Sequence, residues 1–113
     1  MPADDERLRD IHHATEAALR FVEGRTRADL DADELLTAGL MHEITVIGEA
    51  AQSLTSDRRE AMTDIPWRQI IGMRNVIVHA YWRIDPDELW RTVSEDLPLL
   101  HRRLRESGRD QEV

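Results

Sequence analysis

A chain of 113 residues has the length of a single core-forming domain, and 41% hydrophobic with 34% charged residues excludes a purely polar, disordered polymer. Cysteine is absent, which excludes disulfides, thiolate metal sites and a cysteine nucleophile. The net charge of −8 argues against a uniformly basic nucleic-acid binder.

That charge is unevenly spread. Residues 1–56 carry five Arg against twelve acids, residues 57–91 carry six of each, and residues 92–113 carry four against five. The central segment is therefore neutral and comparatively Arg-rich, which permits phosphate contact. All fifteen basic residues are Arg, the better bidentate phosphate ligand. No apolar run follows a basic start, and no stretch of about 20 apolar residues could span a bilayer. The expectation is a soluble, cytoplasmic protein with no membrane partner.

The chain reads as all-α. A first helix over Asp4 to Val22 aligns Leu8, Ile11, Thr15, Ala18, Leu19 and Val22 at steps of three and four, and Gly24 ends it. A second, over Asp31 to Leu54, repeats the pattern with Leu36, Leu40, Ile44, Ile47, Ala51 and Leu54. A short helical turn is expected at Asp57 to Met62. Asp64-Ile65-Pro66 then signals a third long helix reaching about His79, with Asp64 as cap. Asp85-Pro86-Asp87-Glu88 opens the last helix as a capping box. That helix carries Leu89, Trp90, Val93, Leu97, Leu100 and Leu104, and Pro98 should kink or divide it. Four to five antiparallel helices make a bundle of residues 1–106, and residues 107–113 should fray.

Chemistry concentrates in Arg74-Asn-x-x-x-His79-x-Tyr81. On a helix Asn75 and His79 share a face, while Arg74 and His79 lie roughly 140° apart. Spacing alone also allows a solvated Arg74, an incidental Asn75 and a His79 that merely complements the helix C-terminus. The segment is otherwise apolar (Ile70, Ile71, Met73, Val76, Ile77, Val78), so the core face is already supplied and the polar residues need partners or a ligand. If the helix stops near His79, Tyr81 and His79 can turn toward Arg74.

Several stretches in order make the chain resemble the HepT-like proteins of the HEPN superfamily. They are Ile47-Gly48-Glu49-Ala50-Ala51, then Ile65-Pro66-Trp67-Arg68-Gln69-Ile70-Ile71-Gly72-Met73-Arg74-Asn75, then His79-Ala80-Tyr81, and further on Asp85, Leu89-Trp90 and Asp96-Leu97-Pro98. The resemblance covers about residues 5 to 105. It implies a HEPN-like bundle, and the toxin of a type VII toxin–antitoxin pair: a homodimeric, metal-independent endoribonuclease whose two motifs face one cleft. Arg74, Asn75 and His79 would then be catalytic. The partner would be a minimal nucleotidyltransferase antitoxin that binds the toxin and uses ATP to attach AMP to Tyr81; the chain itself would need no cofactor. The residue types suit the task, since His79 can exchange protons near neutrality and Arg74 can clamp a phosphate. The other reading is a non-catalytic nucleotide- or substrate-binding subunit of a nucleotidyltransferase complex, which the acidic balance and Glu43 favour.

Glu49 is a salt-bridge partner for an Arg and a possible support for Arg74. Gly48 and Gly72 would permit close helix approach. His42 stands where many relatives carry a basic residue, which weakens RNA grip there. His12 and His13 are adjacent and point to different faces, so they cannot share an ion as an i,i+4 pair would, and no metal site is expected. Trp67 and Trp90 read as core anchors and Trp82 as an exposed stacking or interface residue. Arg58, Arg59, and Arg102-Arg103-x-Arg105 are either solvated faces or contacts for RNA or partner.

Overall fold

The computed structural model describes the backbone of residues 2–111 and the side chains of residues 3–106. All regular structure among them is helical. Helix α1 (Pro2–Phe21) begins with Asp4 and Asp5 in its first turn, where the helix dipole favours acids. Beyond its end Gly24 takes φ 72°, a left-handed conformation that would strain a residue with a Cβ.

The predicted second helix is divided. One turn, α2 (Asp29–Ala32), precedes α3 (Glu34–Ser53), because Asp33 between them is extended at φ −129°, ψ 94°. From there its carboxylate accepts the Leu36 N–H and receives the Arg25 guanidinium at 2.6 Å. After α4 (Ser56–Glu60), capped by Thr55, the chain enters α5 (Trp67–Ala80). The expected Asp64 cap is not made. Pro66 occupies the cap position without a side-chain bond, and Asp64 pairs instead with Arg103 at 2.9 Å.

A 3₁₀ turn, Tyr81–Arg83, leads to α6 (Pro86–Arg91), which Asp85 caps by accepting the Asp87 N–H as its sequence predicts. Glu88 faces Arg91 at 3.5 Å rather than closing a capping box. A π turn, Thr92–Asp96, joins α6 to α7 (Leu97–Gln111), and the Leu97 N–H reaches the Thr92 carbonyl five residues back. Pro98 lacks an N–H and its ring would crowd the carbonyl four residues earlier. The widened turn just before it absorbs that conflict without dividing the helix. The α7 backbone is described to Gln111; Glu112 and Val113 lie outside the described residues.

Helix α3 packs against both α1 and α5, and α7 packs against α1. Ile11, Ala14 and Ala18 of α1 meet Leu36, Leu40, Ile44, Ile47 and Ala51 of α3 in one core. Leu89, Val93, Leu97, Leu100 and Leu104 complete it from the C-terminal rod. Two polar links show the directions. Asp4 at the start of α1 binds Thr55 just beyond α3, and Arg27 beyond α1 binds Asp87 at the start of α6, so both neighbours run antiparallel to α1. Trp67 is buried, with its indole N–H shared between the carbonyls of Arg59 and Met62, while Trp90 packs half-buried against the core. No described helix is long and apolar enough to cross a membrane.

Helix α5 departs from expectation. Only Trp67 and Ile70 of it are buried; Ile71, Met73 and Ile77 are half-buried, and Val76 and Val78 are exposed. Its contact with α3 is nevertheless very close at one point. A Cβ placed on Gly48 would fall inside van der Waals contact of Arg74 Cβ and Cγ, whereas one on Gly72 would meet nothing within 4 Å. Gly48 therefore sets the α3–α5 approach and Gly72 does not.

Two outcomes follow. Gly48→Ala should cost about 1–3 kcal/mol in urea unfolding by overpacking. Gly72→Ala should gain about 0.5–1 kcal/mol through helix propensity. Second, the Thr55 backbone N–H at 3.0 Å and then its hydroxyl at 2.7 Å hold the Asp4 carboxyl below its ordinary value. A depressed folded-state value means that this group's stabilisation is complete above the ordinary value and lost as pH falls toward the depressed one. Asp4→Asn should lower stability at neutral pH and flatten the acid limb of stability against pH, measured by denaturant titration.

Candidate active site

Arg74 emerges from α5 at the Gly48 gap, and that gap fixes its side chain. Its aliphatic stem lies on the Gly48 backbone, and the side chain is 18% exposed. The guanidinium then spreads along the surface. One terminal nitrogen donates to Asn75 Oδ1 at 2.9 Å and the other to Glu49 Oε1 at 3.4 Å, while Nε is buried without a partner among the described residues. Gln52, one turn after Glu49 on α3, donates to the same Asn75 oxygen at 3.4 Å. The Asn75 carbonyl is thus held by two donors, which turns its NH₂ group away from them as a free donor.

Of the residues expected from the sequence, the fold brings Arg74, Asn75 and Glu49 together. His79 and Tyr81 do not join them. Helix α5 continues through Ala80, so His79 keeps its helical register, about 7.5 Å along the axis and 140° around from Arg74. It is exposed, without a side-chain hydrogen bond among the described residues. Tyr81 leaves the helix in the 3₁₀ turn and is 65% exposed, its ring edge-to-face with the 72% exposed Trp82 at 5.6 Å. One chain therefore presents a positioned cation and amide, and separately an accessible imidazole and phenol.

Beside Asn75 lies an open groove of about 710 Å³, lined also by Arg59, Thr63, Trp67, Arg68 and Ile71. Arg59 and Arg68 set two cations against the single carboxylate of Glu60 along it. Arg103, by contrast, is committed to Asp64 and Glu106, so its part in the basic cluster of α7 is structural. Burial raises the Asp96 carboxyl, and Arg91 at 3.2 Å opposes the rise.

Gln52 was missed in the sequence. Its place three residues after Glu49 on one face of α3 was the available signal. His42 is exposed on α3. His12 does not pair with His13, but meets Glu16 and His101 across the α1–α7 contact.

The Glu49–Arg74 pair is half open to solvent, so Coulomb attraction there is screened. Glu49→Gln should cost no more than about 1 kcal/mol in urea unfolding. A larger loss would show that Glu49 does more than pair at a surface.

Comparison with known proteins shows the family of the chain. A family model described as ribonuclease HepT-like matches residues 11–107. A "probable ribonuclease HepT" of Thermococcus cleftensis is 33% identical over 93 residues, 82% of this chain and 84% of that protein. Proteins named as candidate RNases in Methanocaldococcus jannaschii and Caldanaerobacter subterraneus are each 29% identical, covering 80% and 88% of this chain and 84% and 88% of their own. No solved structure matches the chain significantly. With a match spanning nearly the whole bundle, the Gly48-Glu49 and Arg74-Asn75 stretches included, the chain belongs to the ribonuclease HepT-like family.

Proposed function

We propose that this member of a ribonuclease family is a metal-independent endoribonuclease that works as a homodimer. The observation that carries the reading is Arg74, wedged at Gly48 with its fork held by Asn75 and Glu49 beside an open, Arg-lined groove. A planar cation fixed in this way can bind two phosphate oxygens and stabilise the charge that builds on phosphorus during cleavage. Its ion pair with Glu49 is weak enough for a phosphate to displace.

A proton acceptor and a donor are also needed. His79 takes the proton of the ribose 2′-hydroxyl as that oxygen attacks phosphorus. The bond from phosphorus to the 5′-oxygen breaks, and the leaving oxygen takes a proton from the partner subunit's His79. The products are a 2′,3′-cyclic phosphate and a free 5′-hydroxyl. Supporting the dimer is the exposure of Val76, Val78, Tyr81 and Trp82 along and just beyond the half of α5 that carries His79, an apolar surface suited to a second copy. The distance of His79 from Arg74 within one chain is a further reason to look for a composite site.

The same reading extends to regulation. The chain acts in the cytoplasm as the toxin of a type VII pair, and a minimal nucleotidyltransferase antitoxin neutralises it. The exposed Tyr81 hydroxyl attacks the α-phosphorus of ATP on that partner, releasing pyrophosphate and leaving AMP on the tyrosine. The added phosphate would repel an RNA backbone and compete for Arg74. The ATP belongs to the partner's chemistry.

A non-catalytic subunit of a nucleotidyltransferase complex is the competing reading, favoured by the acidic balance of the chain and by Glu43. Purified wild type should cleave RNA with EDTA present, and Arg74→Ala or His79→Ala should each lower the rate at least about 100-fold with unchanged circular dichroism. Equal rates for all three would remove this motif from catalysis. After incubation with the nucleotidyltransferase and ATP, the Tyr81 peptide should gain the mass of AMP; an unmodified peptide would refute the switch.

A further inference from the structure

His12 and Glu16 stand one turn apart on α1, and His101 reaches them from α7. The Glu16 carboxylate lies between the two rings, one oxygen 3.4 Å from His12 Nε2 and the other 3.4 Å from His101 Nε2. The imidazoles are within 11° of parallel, with centroids 5.4 Å apart. One ligand atom from each residue can be chosen so that all three lie within 4.8 Å of one another. The site shares no residue with the Arg74 groove, and its argument is independent of the ribonuclease reading.

We infer that His12, Glu16 and His101 form a binding site for a divalent first-row transition ion of the zinc, cobalt or nickel kind, clipping α1 to α7. An ion about 2.0–2.2 Å from each ligand at tetrahedral angles sets neighbouring donor atoms about 3.4 Å apart, and two such imidazoles then have centroids about 5 Å apart. Each imidazole already lies 3.4 Å from one of the two Glu16 oxygens, and a donor set of one atom per residue spreads no further than 4.8 Å. Binding requires side-chain rotations that draw the donors together and turn the stacked, near-parallel rings so that one ion lies in the plane of both. Two neutral imidazoles with one carboxylate select a borderline ion over magnesium or calcium, which prefer all-oxygen shells.

Ligation requires both imidazoles neutral and the carboxylate ionised, so zinc binding should weaken as pH falls. The three side chains are 34%, 42% and 23% exposed, which leaves a path for the ion and room for water as a fourth ligand. Because one ligand pair lies on α1 and the third on α7, the ion joins helices remote in sequence, and it should bind the folded state alone.

The test uses the untagged full-length chain and ZnCl₂ in calorimetry, with CoCl₂ as a spectroscopic probe. Expected are one zinc per chain, a rise in Tm with zinc, and a visible cobalt band. Glu16→Gln and His101→Asn should each weaken zinc binding at least about tenfold and abolish the Tm rise, with helical content unchanged by circular dichroism. His13→Asn and His42→Asn, at exposed positions outside the cluster, should change neither readout. Absence of saturable one-to-one binding would overturn the assignment. So would binding that Glu16→Gln and His101→Asn leave intact.

Discussion

The site rests on the approach of α3 to α5 at Gly48. At that point one helix backbone lies against the stem of Arg74, with no room for even one more carbon. This contact does two jobs. It sets the spacing of the two helices, and it removes most of the freedom of a long side chain that would otherwise sample many rotamers. A cation held by packing needs little further ordering when an anion arrives, and Asn75 and Glu49 then have only to orient its planar end. The buried, unpartnered Nε of Arg74 is a cost of that arrangement.

Around this point the helices divide their labour. Helix α3 is the central element, with its apolar stripe turned to the core and Glu49 and Gln52 at its margin. Helix α5 lies on α3 but gives the core only Trp67 and Ile70, leaving Val76, Val78 and the following Tyr81 and Trp82 outside. The acids behind the −8 net charge are concentrated in residues 1–56, ahead of the neutral segment that carries Arg74, and several of them serve caps and ion pairs. Asp33 and Asp29 pair with Arg25, Asp31 with Arg27, and Asp4 with Thr55.

Local signals were legible wherever a residue's neighbours in sequence are also its neighbours in space. The stripes on α1, α3 and the C-terminal rod, the Asp85-Pro86 start and the stop at Gly24 are all of this kind. Misreadings arose where a distant partner intervened. Asp64 looked like a cap until Arg103, 39 residues on, claimed it. Pro98 predicted a kink or a division, and the adjacent π turn accommodates its ring without dividing the rod. Gly48 and Gly72 were indistinguishable as small residues on helices; only the position of Arg74 separates them.

The sequence by itself determined the helical class, most helix limits, the family to which the chain belongs and the segment that carries its polar residues. These follow from periodicity, capping and ordered motifs, all of which are properties of short windows. Tertiary structure alone decided that Arg74 meets Glu49 and Gln52 while His79 stays on another side of the same helix. It also decided that His101 closes on Glu16, 85 residues away, and on His12 beside it. Such meetings depend on how helices pack against one another, and packing depends on the whole core at once.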